Sequence, residues 1–311
     1  MRALAAAVKI PRTTLQRYLA RSVIRQVYSR VKPALKAEHK KKRFKFALQH
    51  VSRSLGARLY RFDHMYGVMH VDEKWFNLYT ALSKFYITTN EKVTYRSCVN
   101  KRYIGKIMFL AAVARPRFDF RLKLAGSLEI KSVAMDKNKY KQLLRDIAFP
   151  AICSQWPGSK GRIIWVHQDN VIPHGRADDA ELTTAGCTDR WQIKMRRQPP
   201  KPPGFNVLDL GIFNAIQPRQ YQIDTSKLDE LIMAVKRSFL AVPSRTIDKC
   251  FLMLQKVMEC TIKHGGGNGF PLPCVGRSHI KNKEHPMSII CEEDTYKKGE
   301  ETLKTCDFGA V

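Results

Sequence analysis

Acidic residues are scarce in this chain. Only 27 Asp and Glu stand against 55 Lys and Arg over 311 residues, a formal charge of +28. That deficit predicts attraction to an anionic polymer. Long apolar runs are missing as well. The longest, Ile107 to Ala114, falls far short of the roughly 20 residues a helix needs to cross a bilayer, so no membrane partner is expected. The first residues, MRALAAAVKI, hold one Arg and a brief Ala-rich stretch cut by Lys9. They offer neither an apolar h-region nor a small-residue cleavage site, so no secretory signal is expected. No CxxC pair occurs among the eight scattered cysteines, a pattern that fits reduced thiols in the cytosol or nucleus. Cys274, His279, His285 and Cys291 match no zinc spacing and read as part of a polar tail. What is present is a 44% apolar fraction, enough to bury a sizeable core.

Basic charge concentrates at the start. Residues 1–62 carry seventeen Lys and Arg and a single acid, Glu38. Arg2 to Val8 reads as a short Ala-rich helix broken at Lys9-Ile10-Pro11. A second helix starts with TTLQRYLARSVI, with Thr13 as its cap and Gln16 three residues on. Leu15, Tyr18 and Leu19 form an apolar stripe at helical spacing. Arg12, Thr14, Gln16, Arg17 and Arg21 fall largely off it and are the candidate DNA contacts, as on the second helix of a helix-turn-helix. Lys9 occupies the turn position where glycine is often found. Further on, the run His39 to Lys45 (HKKKRFK) offers Lys41, Lys42 and Arg43 as phosphate contacts. It reads equally as a nuclear import signal or a solvated helix face.

From Tyr66 the texture changes. GVMHVDEKWFNLYT, KFYITT, VTYRSCV and KIMFLAAVARPRF read as neighbouring strands of a meander. Lys139 to Ile152 reads as a helix, GRIIWVHQDN as a buried strand, Arg176 to Leu182 as a helix and RWQIKMRRQ as a strand. Leu210–Gln217 and Ser226–Leu240 read as helices. This order predicts an α/β protein, a mixed sheet flanked by helices, preceded by a small all-α segment. The expected division is a DNA-binding segment and linker over 1–62, a catalytic domain over 63–245, and a C-terminal helix with an irregular tail over 246–311.

Three aspartates lie at or just past apolar runs: Asp72 in HVDEKWF, Asp169 in WVHQDNVIPH and Asp209 in NVLDLGIF, with thirty-nine residues between the last two. A carboxylate at the end of a buried strand is costly unless a cation meets it. Three such acids from separate elements could hold two Mg²⁺ or Mn²⁺ ions about 3.5–4 Å apart for an in-line phosphoryl displacement. Each taken alone also reads as a turn former or helix cap. Glu73 reads as solvent-facing, Asp178 and Asp179 as first-turn helix acids, His174 as a packed polar residue, and Trp75, Trp165 and Trp191 as core.

At these blocks the chain resembles the mariner-like transposases, especially the plant and oomycete branch. HVDEKWF, KIMFLAAVARPRF, QDNVIPH, QPPKPPGFNVLDLGIFNAIQ and FLMLQK carry the likeness, which runs from about residue 2 to 270. The resemblance implies an RNase H-like catalytic domain and a DDD metal triad carried onto Asp72, Asp169 and Asp209. It implies cut-and-paste transposition into TA targets by a nuclear homodimer that pairs two transposon ends. The N-terminal helices would match the second of two helix-turn-helix units that bind terminal inverted repeats, which implies an N-terminal truncation. Two further departures are a short stretch between Phe118 and Lys137 and Gly204, which stands where that family has an aspartate that helps fix the loop. Restoring Asp at 204 is expected to raise activity. Three functions stay open: a transposase of impaired activity, a non-catalytic transposon-derived DNA-binding protein, and an RNase H-like nuclease without sequence preference.

Overall fold

The computed structural model describes residues 2–24, 32–54, 56–79, 104–117, 127–130, 137–157, 160–169, 179–200, 204–273 and 285–305. The strands expected from KFYITT and VTYRSCV, the stretch 118–126, and Asn170, His174 and Asp178 lie outside them. The chain divides between Pro33 and Ala34 into two compact units.

The first unit holds α1 (Arg2–Val8) and α2 (Arg12–Ala20). Lys9 sits at φ 53°, so the position where a glycine was missed does take the left-handed turn. Thr13 does not cap α2. Pro11 precedes the helix in extended geometry, and its carbonyl accepts from Thr14 and Leu15. Proline's fixed φ starts the helix one residue earlier than the polar pattern suggests. Of the expected stripe only Leu15 is buried, at 3% exposure, while Tyr18 and Leu19 face solvent.

The second unit runs α3 (Ala37–Gln49), β1 (Val51–Ser52), β2 (Tyr60–Phe62), β3 (Val68–Asn77), β4 (Lys106–Ala114) and β5 (Ser127–Ile130). Next, α4 (Lys137–Leu143) passes through a π turn (Leu144–Ala148) into α5 (Phe149–Gln155), followed by β6 (Ile163–Gln168), α6 (Ala180–Gly186) and β7 (Gln192–Arg197). A second π turn (Leu208–Ile212) leads into α7 (Phe213–Tyr221), then α8 (Leu228–Leu240), α9 (Ser244–Lys263), β8 (Ile290–Cys291) and α10 (Glu293–Thr305).

The main sheet has the order β5-β4-β3-β6-β7. β3, β4 and β5 pair antiparallel, while β6 is parallel to both β3 and β7. Alternation along each strand splits the core in two. Val68, Phe76, Phe109, Ala111 and Val113 face α3 and the layer from the second π turn to α9. Met69, Val71, Leu110, Ala112, Ile164 and Val166 face α4, α5 and α6. β4 is buried on both faces, which is why it reads as an unbroken apolar run.

Residues 34–62 belong to the same compact unit as the sheet. The basic run of α3 hides an inner face of Phe44, Phe46, Ala47 and Leu48, all buried. Helix α6 starts at Ala180 with Asp179 as its cap: Asp179 accepts from the Leu182 amide at 3.4 Å and pairs with Lys141. The tail is not wholly irregular. β8 adds to β2, Tyr296 of α10 stacks on Tyr60 at 4.3 Å, and Gly299 lies against Leu48 and Ile262. Arg115, at the end of β4, secures the return. It donates to Asp248 Oδ1 (2.7 Å), to the His64 carbonyl (2.8 Å) and to the Met287 carbonyl (2.6 Å).

Candidate metal-binding active site

β3 and β6 pair in the register Val68↔Trp165, Met69↔Val166, His70↔His167. Carried two residues further, that register sets Asp72 beside Asp169, at an interstrand spacing of about 5 Å. Asp169 directly follows the last residue of β6. Asp209 is the second residue of the π turn Leu208–Ile212, whose Leu208, Leu210 and Ile212 pack into the same core layer that Phe76 and Phe109 of the sheet face. Asp209 itself stays exposed.

The three acids act on one another. Burial, then the charges of Asp209, Asp169 and Glu73, push the Asp72 carboxyl up to about 8, against a pull from the Glu73 amide, which donates to Asp72 Oδ1 at 2.9 Å. Asp209, though exposed, is still partly desolvated by the packed turn around it, and that raises it, while Lys74 pulls down and Asp169 pushes up. A group of hard oxygen donors with an excess of negative charge suits Mg²⁺ or Mn²⁺. A carboxyl that holds its proton to about pH 8 would release it to such a cation. The fit is one of donor chemistry and charge. Among the described residues, no three His, Cys, Asp or Glu side chains close tightly enough to hold a metal ion. The acids are gathered without being drawn onto one point.

Several supporting residues were not singled out by sequence. Asn206, 2% exposed, donates through Nδ2 to the Val71 carbonyl (3.1 Å) and accepts at Oδ1 from the Leu208 amide (3.1 Å). An Asn just before an apolar helical pattern is a capping signal that could have been read. On the other face of the sheet, the Tyr140 hydroxyl donates to Gln168 Oε1 at 3.0 Å. Burial and the nearby Glu73, Asp169 and Asp72 raise Tyr140 well above its ordinary value. Glu73 is half-buried, not solvent-facing. His50, His70 and His167 form a buried edge-to-face cluster, with His70–His167 centroids at 5.1 Å and His50–His167 at 6.2 Å. Burial holds all three neutral, His70 at about 3, His50 at about 4 and His167 well below its usual range.

Gly204 lies at φ +97°, and a Cβ there would meet Val257 Cγ1 at 3.3 Å. An aspartate at this position is strained whatever its charge does, which argues against the expectation that restoring it helps.

The nucleic-acid candidates divide. Arg12, Gln16, Arg17 and Arg21 are exposed and Thr14 is half-buried. Lys41 and Lys42 are exposed, with Lys42 paired to Glu38. Arg43 does not reach solvent. It is 0% exposed, its Nε donates to the Gly266 carbonyl at 3.0 Å, and its guanidinium lies 4.7 Å over the Phe205 ring. It is a packing residue because it falls on the inner face of α3. Trp191 is buried and Trp165 half-buried, whereas Trp75 is 42% exposed with Lys106 Nζ at 4.5 Å from its ring.

A mixed five-stranded sheet of this order, with helices on both faces, is the RNase H-like fold of a mariner transposase catalytic domain. No protein-family model matches the chain. No curated protein matches it. Solved structures do. A pre-cleavage Mos1 transpososome superposes with a TM-score of 0.60 at 16% identity, covering 86% of this chain and 74% of that one. The Mos1 mariner paired-end complex with Mn superposes with a TM-score of 0.60 at 15% identity, over 85% and 74%. The catalytic domain of Mos1 mariner transposase gives 0.52 at 13% identity, over 77% of this chain and 99% of that domain. Identities this low establish the fold.

Proposed function

We propose that this chain is a mariner-type DNA transposase of the DDD branch. In this reading it binds transposon terminal inverted repeats as a homodimer, and it cuts and rejoins phosphodiester bonds with two Mg²⁺ or Mn²⁺ ions held by Asp72, Asp169 and Asp209. The observation that carries it is the β3–β6 register, which faces the first two acids across the sheet, with the third contributing charge from the π turn. The ions, when bound, supply a deprotonated water or sugar 3′-hydroxyl and stabilise the leaving oxygen. The residues orient and neutralise. Asp72 and Asp169 present carboxylates from adjacent strands, and Asp209 closes the set from the helical layer. The Glu73 amide fixes one Asp72 oxygen. Arg12, Thr14, Gln16, Arg17 and Arg21 on a helix-turn-helix read the repeats, with Lys41 and Lys42 on phosphates. The relatives in fold include transposon-end complexes and complexes with Mn or Mg, which supports end pairing and metal use here. Action on chromosomal TA sites would require the protein to be in the nucleus.

The test is nicking of a labelled inverted-repeat duplex, taken from the DNA flanking the gene, in Mg²⁺ or Mn²⁺. Wild type should nick it, and Asp169→Ala should bind the duplex but leave it intact. One observation favours a second reading, a non-catalytic DNA-binding protein: the acids are gathered but not closed. Wild type that binds DNA and cleaves in no metal would establish that reading.

A further inference from the structure

Asp72 and Asp209 lie 137 residues apart in sequence, and nothing in the covalent chain fixes one against the other. Asn206 does so physically. Its amide spans from the Val71 carbonyl, one residue before Asp72, to the Leu208 amide, one residue before Asp209, each at 3.1 Å. The two partners fix its orientation. A carbonyl only accepts and an amide N–H only donates, so Nδ2 must face Val71 and Oδ1 must face Leu208. Asn206 also begins the helical turn, its own carbonyl accepting from the Leu210 amide at 3.1 Å. With 2% exposure, it has no water to replace a lost partner.

We infer that Asn206 is a positioning residue that sets the spacing of Asp72 and Asp209 by tethering the π turn to β3, and so tunes the affinity of the site for divalent cations. The inference rests on the metal-site reading above. It predicts a role for the side chain that no other single residue at this position performs. Alanine removes both bonds. Serine keeps the helix cap but is too short to bridge to Val71, so it separates the cap from the tether.

The experiment titrates Mn²⁺ into the full chain by calorimetry or electron paramagnetic resonance, with no DNA and no turnover. Asn206→Ala and Asn206→Ser should both weaken Mn²⁺ binding about tenfold, as loss of outer contacts to metal ligands does. The control is Thr225→Val, which removes a comparable hydroxyl-to-carbonyl bond to Leu78 (3.1 Å) at the far end of the same strand. It should lower the melting temperature and leave Mn²⁺ affinity within about twofold. Serine at 206 restoring wild-type affinity would show that only the cap matters and overturn the tether. Equal shifts in the Thr225 variant would reduce the effect to general loosening, which also overturns it. Wild type that binds no Mn²⁺ removes the metal-site reading and this inference together. Wild type that binds, with Asn206→Ala binding equally, removes this inference alone.

Discussion

Arg43 lies in the most basic run of the chain yet points inward, and its replacement separates stability from DNA binding. Arg43→Ala removes a charged hydrogen bond to the Gly266 carbonyl, about 1.5–3 kcal/mol, and a cation–ring contact with Phe205, about 0.5–2 kcal/mol. It also removes two buried methylenes, at about 0.8 kcal/mol each. Against this stands relief of desolvation. Burial pushes the guanidinium down to about 10 from an ordinary value above 12, and at 1.36 kcal/mol per pKa unit that is on the order of 3 kcal/mol. The net loss is roughly 1–3 kcal/mol, or about 2–12 °C at roughly 2–4 °C per kcal/mol for a unit of this size. Arg43→Met keeps an apolar stem of similar length and sheds the charge, so it should lie near wild type, as replacing a buried ion with a well-packed apolar side chain often does. Neither should alter DNA affinity. Lys41→Ala with Lys42→Ala should do the reverse: stability within about 0.5 kcal/mol, and a salt dependence shallower by about 0.9 per lost phosphate contact. Thermal unfolding and fluorescence anisotropy over a salt series read both. If Arg43→Ala flattened the salt dependence while leaving the melting temperature unchanged, the burial argument would be wrong.

Two other predictions concern the sheet and the third-acid loop. His70 stays neutral in the fold down to about pH 3, whereas the unfolded chain takes up a proton below about 6.5, so its contribution is full above 6.5 and declines as the pH falls toward 3. At pH 4.5 this one residue should account for a loss of roughly 3 kcal/mol; His70→Leu should lose less stability between pH 7.5 and 4.5 than wild type, and parallel pH profiles would refute the buried-cluster account. Gly204→Asp should lower the melting temperature and lower nicking as well, because φ +97° is strained for any side chain; a rise in nicking would vindicate the family pattern over the local geometry.

Much of the scaffold was legible where one signal dominated. The apolar run Ile107–Ala114 gave β4 almost residue for residue, and Asp169 stood at the end of a strand because IIWVHQ is largely apolar and mostly buried and Asn170 is not apolar. Other features were hidden by a louder local pattern. The charges of HKKKRFK masked the inner face of α3, and with it the role of Arg43. His70 and His167 are ninety-seven residues apart and become neighbours only through parallel pairing, which no local periodicity reports. Asn206 showed a capping signal, but its second partner lies on β3 and needs the tertiary fold. The tail carried too little apolar character to announce a strand, yet two residues suffice when Arg115 and Gln255 hold them. Gln255 donates to the Asp63 carbonyl at 2.9 Å and accepts from Ile289 at 2.8 Å.

Arg115 makes the last part of the polypeptide a condition for finishing the first. Its guanidinium is buried beside β4, yet two of its carbonyl acceptors, Pro286 and Met287, emerge from the ribosome some 170 residues later. A nascent chain, or one cut short by a premature stop before that point, holds an interior cation whose ligands have not been made. Such products should linger half-assembled and fall to proteolysis, so the cell is left mainly with molecules translated past Met287.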